Sequence, residues 1–234
     1  MHQIMDIREV TAEELLGPLN DVEQKHVPAK LFVAGDIGLL REGGRVAIVG
    51  SRKASAEGLN RARRLAKLLA ERQVVVVSGL AEGIDTAAHR GTLEAGGRTV
   101  GVIGTSLEKT YPRKNAELQE QMKREQLVVS QFSIGQPTQP RNFPLRNRTM
   151  ALISDVTVIM EASDTSGSLN QGWEALRLGR GLFIAKSVVE NSSLTWPAEM
   201  MDYGARVLAD ETLEELFEFL PPRTAAAYDG AIPF

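Results

Sequence analysis

The alternation of short apolar runs with helical stretches is the feature that most constrains the fold of this chain. The run VVVV over residues 74–77 is β-branched throughout, as expected for a strand buried on both faces of a parallel sheet. The predicted strands cover residues 46–50, 74–78, 99–104, 127–130, 155–162 and 181–185. Because strands and helices alternate at this spacing, the chain is predicted to form right-handed βαβ units. We therefore expect an α/β fold, with a doubly wound, mostly parallel sheet and helices on both faces.

Helical segments are predicted between these strands and after the last one. They cover residues 59–71, 84–95, 115–124, 144–153, 168–178 and 212–219. Residues 1–44 are predicted to form an irregular N-terminal lead-in with one or two short helices, of which 12–16 is a candidate. The regular domain is placed at 45–220, and residues 221–234 are predicted to be a C-terminal tail.

Composition excludes several classes of protein. The chain has no cysteine, so disulfides and thiolate metal sites are excluded, and His2, His26 and His89 lack metal-ligand spacing. No apolar run approaches the ~18 residues that span a bilayer, and the N-terminus lacks the apolar core of a signal peptide. We expect a cytoplasmic protein without metal, cofactor or membrane partner. The net charge of −3 argues against a uniformly basic nucleic-acid binder, but it allows a local basic groove.

Four predicted strands end in turns of small residues. These turns contain Gly50 and Ser51, Gly79 and Gly83, Gly104 to Ser106, and Ser163 to Ser168. In a doubly wound sheet the carboxyl ends of the strands share one edge, where ligands bind. Glycine N–H groups and hydroxyls at helix N-termini bind anions, so four such turns predict an anion-binding rim. The GxGxxG and Walker patterns of nucleotide sites are absent after the first strand.

Cations accompany these turns. Arg52 and Lys53 follow the strand at 46–50, and the stretch RNFPLRNR brings three arginines together around Phe143. These arginines are Arg141, Arg146 and Arg148. Arginine at a phosphate and an aromatic ring under a base are the usual combination for a single-stranded nucleic acid. The basic residues of the helix at 59–71 alternate with apolar ones and are predicted to be a solvated face.

Asp85 and His89 lie one helical turn apart, so their side chains can meet. They could form a general acid–base pair. Alternatively, Asp85 caps its helix or pairs with Arg52, and His89 is held by Asp85. We favour the structural interpretation, because the sequence contains no nucleophile–base set and gives no signal for enzymatic hydrolysis.

At these motifs the chain resembles the DprA/Smf family of DNA-processing proteins. The matching motifs are VAIVGSRKAS, SGLAEGIDTAAHRGTLEAGGRTVGVIGTSLEKTYPRKN, FPLRNR, VTVIMEASDTSGSL and ALRLGRGLFIA, which cover roughly residues 30 to 186. The resemblance implies an extended Rossmann-like domain that binds single-stranded DNA. It also implies a non-enzymatic protein that dimerises and delivers incoming single strands to a RecA-type recombinase during natural transformation.

The resemblance also implies roles for individual residues. Phosphates are expected near Ser51, Arg52, Gly79, Gly83, Gly167 and Ser168, with Gly50 and Lys53 completing that site. The strand path is expected along Phe143, Arg146, Asn147 and Arg148, and Asp85 and His89 are expected to organise the pocket.

The chain departs from the family pattern at several points. It has SQFSIG, RNRTMALIS and SGSLNQG where the family has sequences close to SEFPxG, RNRIIAGLS and SGSLITA, and AKSVV replaces a Pro-Gly pair. A single-domain relative is therefore expected, without the C-terminal winged helix and most of the N-terminal helical domain. Two alternatives stay open: a nucleotide sensor or nucleoside-monophosphate phosphoribohydrolase-like enzyme, to whose PGGxGT…E signature SDTSGSLNQGWE is loosely similar, and an interaction scaffold with a vestigial pocket.

Overall fold

Nine strands form one sheet in the computed structural model, which describes residues 7–41 and 43–221. The strands are β1 (Arg8–Val10), β2 (Leu31–Gly35), β3 (Arg45–Gly50), β4 (Val75–Ser78), β5 (Thr99–Ile103), β6 (Leu127–Ser130), β7 (Val156–Glu161), β8 (Gly181–Ala185) and β9 (Arg206–Leu208). The helices are α1 (Ala12–Leu16), α2 (Asp21–Gln24), α3 (Ala56–Glu71), α4 (Ile84–Glu94), α5 (Ala116–Glu125), α6 (Asn142–Ile153), α7 (Ser168–Arg177), α8 (Lys186–Val189), α9 (Trp196–Asp202) and α10 (Leu213–Glu218).

The order of the strands confirms the doubly wound, mostly parallel sheet. That order is β1-β2-β6-β5-β4-β3-β7-β8-β9. All pairs from β6 to β9 are parallel, whereas β1 and β2, and β2 and β6, are antiparallel. The chain moves outward from β3 to β6 and then returns to β7, on the other side of β3. This reversal opens a crevice at the carboxyl ends of β3 and β7.

Both faces of the central strands are buried, which explains why these strands are mostly apolar. Val46 and Ile48 of β3 pack against α3 and α4 on one face, where α10 also lies. Ala47 and Val49 lie on the opposite face, in the core that contains Met150 of α6. A third cluster lies between α5 and the outer strands. The helices therefore cover both faces, as predicted.

The central strands are joined at their amino ends by a buried ion pair. The backbone N and the Nε of Arg45 donate to Asp155 Oδ2 at 2.8 and 3.1 Å, and Arg45 Nη2 donates to Oδ1 at 2.8 Å. Both side chains are largely buried. The pair fixes β3 against β7 at the edge of the sheet opposite the crevice.

The structure differs from the sequence prediction mainly at the edges of the sheet. The helix predicted at 12–16 is α1, but the predicted irregular lead-in also contains β1 and β2, which join the same sheet. The segment after β8 forms α8, α9 and β9, none of which was predicted. Strands β1 and β9 have three residues each and are partly exposed, so they lack an apolar run that could reveal them. The predicted tail lies outside the described residues from position 222 onward. Within the part of the chain that is described, no helix is long and apolar enough to cross a bilayer.

Candidate functional site

A cleft of about 690 Å³ lies at the carboxyl ends of β3 and β7, where the strand order reverses. Its walls come from the turn after β3, from α6 and from the turn before α7. Ten of the residues predicted from the sequence line it: Gly50, Ser51, Arg52, Lys53, Asp85, Phe143, Arg146, Asn147, Gly167 and Ser168. The fold therefore brings most of the predicted site together at one place.

Backbone hydrogen bonds to β7 and α4 fix the turn after β3. The N–H of Ser51 donates to the carbonyl of Glu161 at 2.7 Å, and the carbonyl of Ser51 accepts from the N–H of Ile84 at 3.2 Å. Gly83 permits this contact, because its φ is +77° and a Cβ there would lie 2.2 Å from the Ser51 carbonyl oxygen. These bonds fix the backbone, while the side chains of Arg52 and Lys53 remain exposed to solvent at the mouth of the cleft.

Helix α6 supplies a buried cation to the floor of the cleft. Phe143, Arg146 and Asn147 have the i, i+3, i+4 spacing that places side chains on one helical face. Arg146 is 6% exposed, and its Nη1 donates to the carbonyls of Gly79 and Val102 at 2.5 and 2.8 Å. Burial lowers the pKa of Arg146, and the nearby Asp85 carboxylate opposes that shift. The guanidinium group is thus anchored by the ends of two strands.

Asp85 fixes the turn after β4 and faces Arg146. Its Oδ2 accepts from the N–H groups of Gly79 and Ala81 at 3.1 and 3.3 Å. Burial raises the pKa of the Asp85 carboxyl, whereas Arg146 and these N–H groups act in the opposite direction. The prediction that Asp85 pairs with Arg52 is wrong, because the cation that interacts with Asp85 is Arg146. Gly79 lies behind the cleft, where its carbonyl and N–H hold these two side chains.

His89 is a core residue and does not line the cleft. It is fully buried, and its Nδ1 lies 2.8 Å from Thr99 Oγ1. Since the Thr99 hydroxyl donates to the carbonyl of Val76, His89 Nδ1 donates to Thr99. Burial, reinforced by the charge of Arg146, lowers the pKa of His89 to about 3. A neutral, enclosed imidazole excludes the acid–base pair with Asp85, and Thr99 rather than Asp85 holds the ring.

The start of α7 presents donors to the opposite wall. Asn147 Nδ2 donates to the carbonyl of Gly167 at 3.0 Å and so joins α6 to this turn. Ser168 Oγ is buried and has no hydrogen-bond partner in the described part of the chain. Among the described residues no side chain caps the N-terminus of α7. The N–H groups of Leu169 and Asn170 donate to the carbonyls of Ser166 and Gly167 at 3.1 and 3.2 Å, and the partial positive charge of the helix end favours an anion. An unpartnered hydroxyl at a helix N-terminus is well suited to a phosphate.

Arg148 and Gly83 were also predicted to contact the ligand, but neither lines the cleft. Arg148 is two residues beyond Arg146 and therefore on another side of α6, where its Nε donates to Glu174 at 2.9 Å. Gly83 faces away from the cleft, toward a second depression between α3 and α4.

The sequence analysis missed two residues of this region. Gln171 is fully buried at the back of the cleft, where its amide nitrogen reaches the Asn147 carbonyl at 2.6 Å. Tyr111 contacts Phe143 beside the cleft, with ring centroids 5.3 Å apart. The only signal for Tyr111 was an aromatic residue in a loop after a rim strand.

The charged groups of the cleft favour an anionic ligand. Its lining contains three cations, Arg52, Lys53 and Arg146, and one carboxylate, Asp85. Among residues 7–41 and 43–221, no cluster of histidine, aspartate and glutamate side chains could hold a metal ion. The arrangement can therefore bind phosphate groups directly, through guanidinium, ammonium, hydroxyl and backbone donors.

Comparison with known proteins identifies similar chains. The family model for DNA recombination-mediator protein A matches residues 13–221. DNA processing protein DprA of Bacillus subtilis is 34% identical over 196 residues, which cover 84% of this chain and 65% of that protein. DprA of Streptococcus pneumoniae is 37% identical over 190 residues, which cover 78% of this chain and 67% of that protein. The chain thus spans about two thirds of the length of these relatives.

Solved structures agree with these matches. The X-ray structure of Streptococcus pneumoniae DprA has a TM-score of 0.75 and 31% sequence identity, over 90% of this chain and 74% of that one. The structure of DNA processing protein A from Helicobacter pylori, which describes its single-stranded DNA binding mode, has a TM-score of 0.78 and 25% identity, over 92% and 97% of the two chains.

Proposed function

Because this chain belongs to the family of DNA recombination-mediator protein A, whose curated members are called DprA or Smf, we propose that its cleft binds single-stranded DNA. The observation that supports this most is the cleft itself, in which three cations and the unpartnered hydroxyl of Ser168 surround the crevice where the strand order reverses. The relative from Helicobacter pylori is a single-stranded DNA-binding protein.

The cations differ in the role that we propose for them. Arg52 and Lys53 are exposed and can follow a flexible backbone, so they contribute charge and the release of counterions. Arg146 is held by two carbonyls and cannot move with the ligand, so it fixes the position of one phosphate. Ser168 and the N-terminus of α7 bind on the opposite wall.

A filter-binding series with oligo-dT, duplex DNA and thymidine monophosphate at two or more salt concentrations tests this function. We expect micromolar or tighter binding of oligo-dT and weaker binding of the other two ligands. Arg52→Ala and Lys53→Ala should each lower the affinity about ten- to a hundredfold, since a hydrogen bond to a charged group contributes about 1.5–3 kcal/mol. Each should also reduce the salt slope by about 0.7, the value for one phosphate contact on a single strand.

Arg148→Ala is the matched control, because this arginine lies near the cleft on the same helix but pairs with Glu174. Its affinity should stay within about twofold of the unaltered protein. Equal losses in Arg148→Ala and Arg52→Ala, or tighter binding of the monophosphate than of oligo-dT, would contradict the proposal. Release of free base from AMP would favour the phosphoribohydrolase-like alternative.

We also propose a wider role for the chain, which its family supports. The bound strand is passed to a RecA-type recombinase in the cytoplasm, in DNA uptake or recombination, by a homodimer that performs no chemistry on the DNA. The family's description as a recombination mediator supports this role. Adding the protein to a RecA strand-exchange reaction should raise its rate, and Arg52→Ala should reduce that gain in proportion to its loss of affinity. An equal gain in the rate of strand exchange with Arg52→Ala would mean that delivery to the recombinase does not depend on the cleft.

A further inference from the structure

Two aromatic rings adjoin the cleft on the side of β5. Phe143 and Tyr111 have ring centroids 5.3 Å apart, with their planes inclined at 48°. The guanidinium carbon of Arg52 lies 5.4 Å from the centroid of the Phe143 ring. Phe143 comes from α6, and Tyr111 from the loop between β5 and α5. Three segments that are distant in sequence thus form a cation–aromatic group at the rim.

Tyr111 is the more exposed of the two rings. Phe143 lies against the end of β5, so closely that a Cβ on Gly104 would lie 2.8 Å from the ring. Arg52 and Tyr111 border Phe143 further, and its side chain is half-buried. Tyr111, by contrast, is 48% exposed. An exposed aromatic ring that is supported by a second, fixed ring is what an unpaired base requires for stacking.

The loops around Tyr111 have an excess of positive charge outside the cleft. The segments after β5 and β6, residues 104–115 and 131–141, contain four basic residues and one acidic residue. The basic residues are Lys109, Arg113, Lys114 and Arg141, and the acidic residue is Glu108. Lys114 lies 3.3 Å from Glu82 of the turn after β4, so Lys109, Arg113 and Arg141 carry the excess of positive charge. The segments after β7 and β8, residues 162–167 and 186–195, contain one basic residue, Lys186, and two acidic ones, Asp164 and Glu190.

The remaining cations on the β8 side face carboxylates. Arg61 lies 3.7 Å from Glu57, and Arg64 lies 3.4 Å from Asp210. A polyanion that leaves the cleft therefore meets excess positive charge in the direction of β5 and a balanced surface in the direction of β8.

Building on the proposed DNA binding, we infer that Tyr111 is a platform on which a base of the bound strand stacks, and that the strand leaves the cleft over the loop between β5 and α5. The bases of a duplex are already stacked on each other, so Tyr111 cannot contact their faces. The platform thus gives the site a preference for single strands that phosphate contacts alone would not provide.

Variants of Tyr111 test the platform. Tyr111→Leu keeps an apolar contact with Phe143 but removes the aromatic face, whereas Tyr111→Phe keeps it. The control is Tyr203→Leu, because Tyr203 is also exposed and also contacts an aromatic ring, that of Trp173, but precedes β9 at the opposite edge of the sheet. The probes are oligo-dT of eight nucleotides and an oligonucleotide of equal length with abasic residues. Thermal unfolding of each variant checks that it is folded.

Tyr111→Leu should weaken the binding of oligo-dT about five- to a hundredfold, the effect of losing one stacked base. Tyr111→Phe and Tyr203→Leu should stay within about twofold of the unaltered protein. On the abasic probe, Tyr111→Leu and the unaltered protein should bind equally. Unchanged binding of oligo-dT, or an equal loss on both probes, overturns the platform. If the unaltered protein binds neither probe at low salt, the proposed function itself fails.

The direction of the strand has its own test on oligo-dT of about twenty nucleotides. Arg113→Ala should reduce the salt slope by about 0.7, the contribution of one phosphate contact. Lys186→Ala removes an equally exposed charge on the β8 side and should leave the slope unchanged. A larger loss for Lys186→Ala than for Arg113→Ala overturns the proposed exit.

Discussion

At the scale of single residues, Gly79 shows how closely the floor of the cleft is packed. A Cβ at this position would lie only 1.7 Å from Arg146 Nη1 and 2.6 Å from Asp85 Oδ2. Gly79→Ala should therefore expel the guanidinium from its two carbonyl partners and destabilise the protein by about 1–3 kcal/mol. Urea unfolding measures this loss, and oligo-dT affinity should fall with it.

Gly167→Ala is the matched control for stability within the same cleft. Gly167 has a φ of −63°, and nothing lies within 4 Å of its Cβ position. Its free energy of unfolding should change by less than about 0.5 kcal/mol. If the two alanine variants proved equally stable, the packing described for Arg146 would be wrong.

The buried imidazole of His89 predicts a dependence of stability on pH. Its pKa in the folded protein is about 3, below the ordinary value of 6.5, so between these values the unfolded chain binds more protons. Stability from this group is therefore complete above pH 6.5 and decreases as the pH falls toward 3. From pH 7 to pH 5 the loss is about 2 kcal/mol, at 1.36 kcal/mol per pH unit.

His89→Gln removes the titrating group, so urea unfolding at pH 7 and pH 5 should show a difference about 2 kcal/mol smaller than in the unaltered protein. The other titrating groups are common to both proteins and cancel in this comparison. His26→Gln, on the surface, serves as the control. An unchanged pH dependence in His89→Gln would mean that the imidazole is not enclosed.

At the scale of elements, we expect the ion pair between Arg45 and Asp155 to contribute to stability but not to the binding of oligo-dT. Asp155→Ala leaves a largely buried arginine without its carboxylate and should cost about 3–5 kcal/mol in urea unfolding. Because the pair lies at the amino ends of β3 and β7, the folded variant should keep its affinity for oligo-dT. Glu215→Ala breaks an exposed pair with Arg206 and should cost about 1 kcal/mol or less. Equal losses of stability in Asp155→Ala and Glu215→Ala would contradict the burial of the ion pair between Arg45 and Asp155.

Helix α6 shows what the sequence could and could not reveal about an element. The cations and Phe143 in RNFPLRNR placed it at the edge of the sheet where the cleft lies, and the helix begins at Asn142, two residues before the predicted start. Helical periodicity places Arg146 and Arg148 on different faces, but charge alone gave them equal weight. Which face turns toward the cleft depends on Gly79, Val102 and Glu174, and such tertiary contacts are absent from the local pattern.

At the scale of the whole molecule, the central sheet was predictable because strands buried on both faces leave continuous apolar runs. The position of the cleft followed from the carboxyl ends of those strands. Strands β1 and β9 were not predicted, since three-residue segments lack such runs. Strand β2 does have an apolar run, but it pairs antiparallel with β6 and so lies outside the strand–helix alternation on which the prediction was based. His89 was interpreted as structural, but its partner was expected to be Asp85 rather than Thr99, because that contact depends on packing between α4 and β5 that spacing along one helix does not contain.

The walls of the cleft come from separate parts of the sequence, which affects when the cleft forms during translation and what proteolysis does to it. One wall of the cleft is formed by the ends of β3 and β4. The other wall is formed by α6 and α7, which come later in the sequence, after the exposed segment at 133–141. A growing polypeptide therefore cannot complete the cleft until Arg177 has left the ribosome. A protease that cuts within 133–141 would leave two fragments, each with part of the walls, and only their reassociation would restore the cleft.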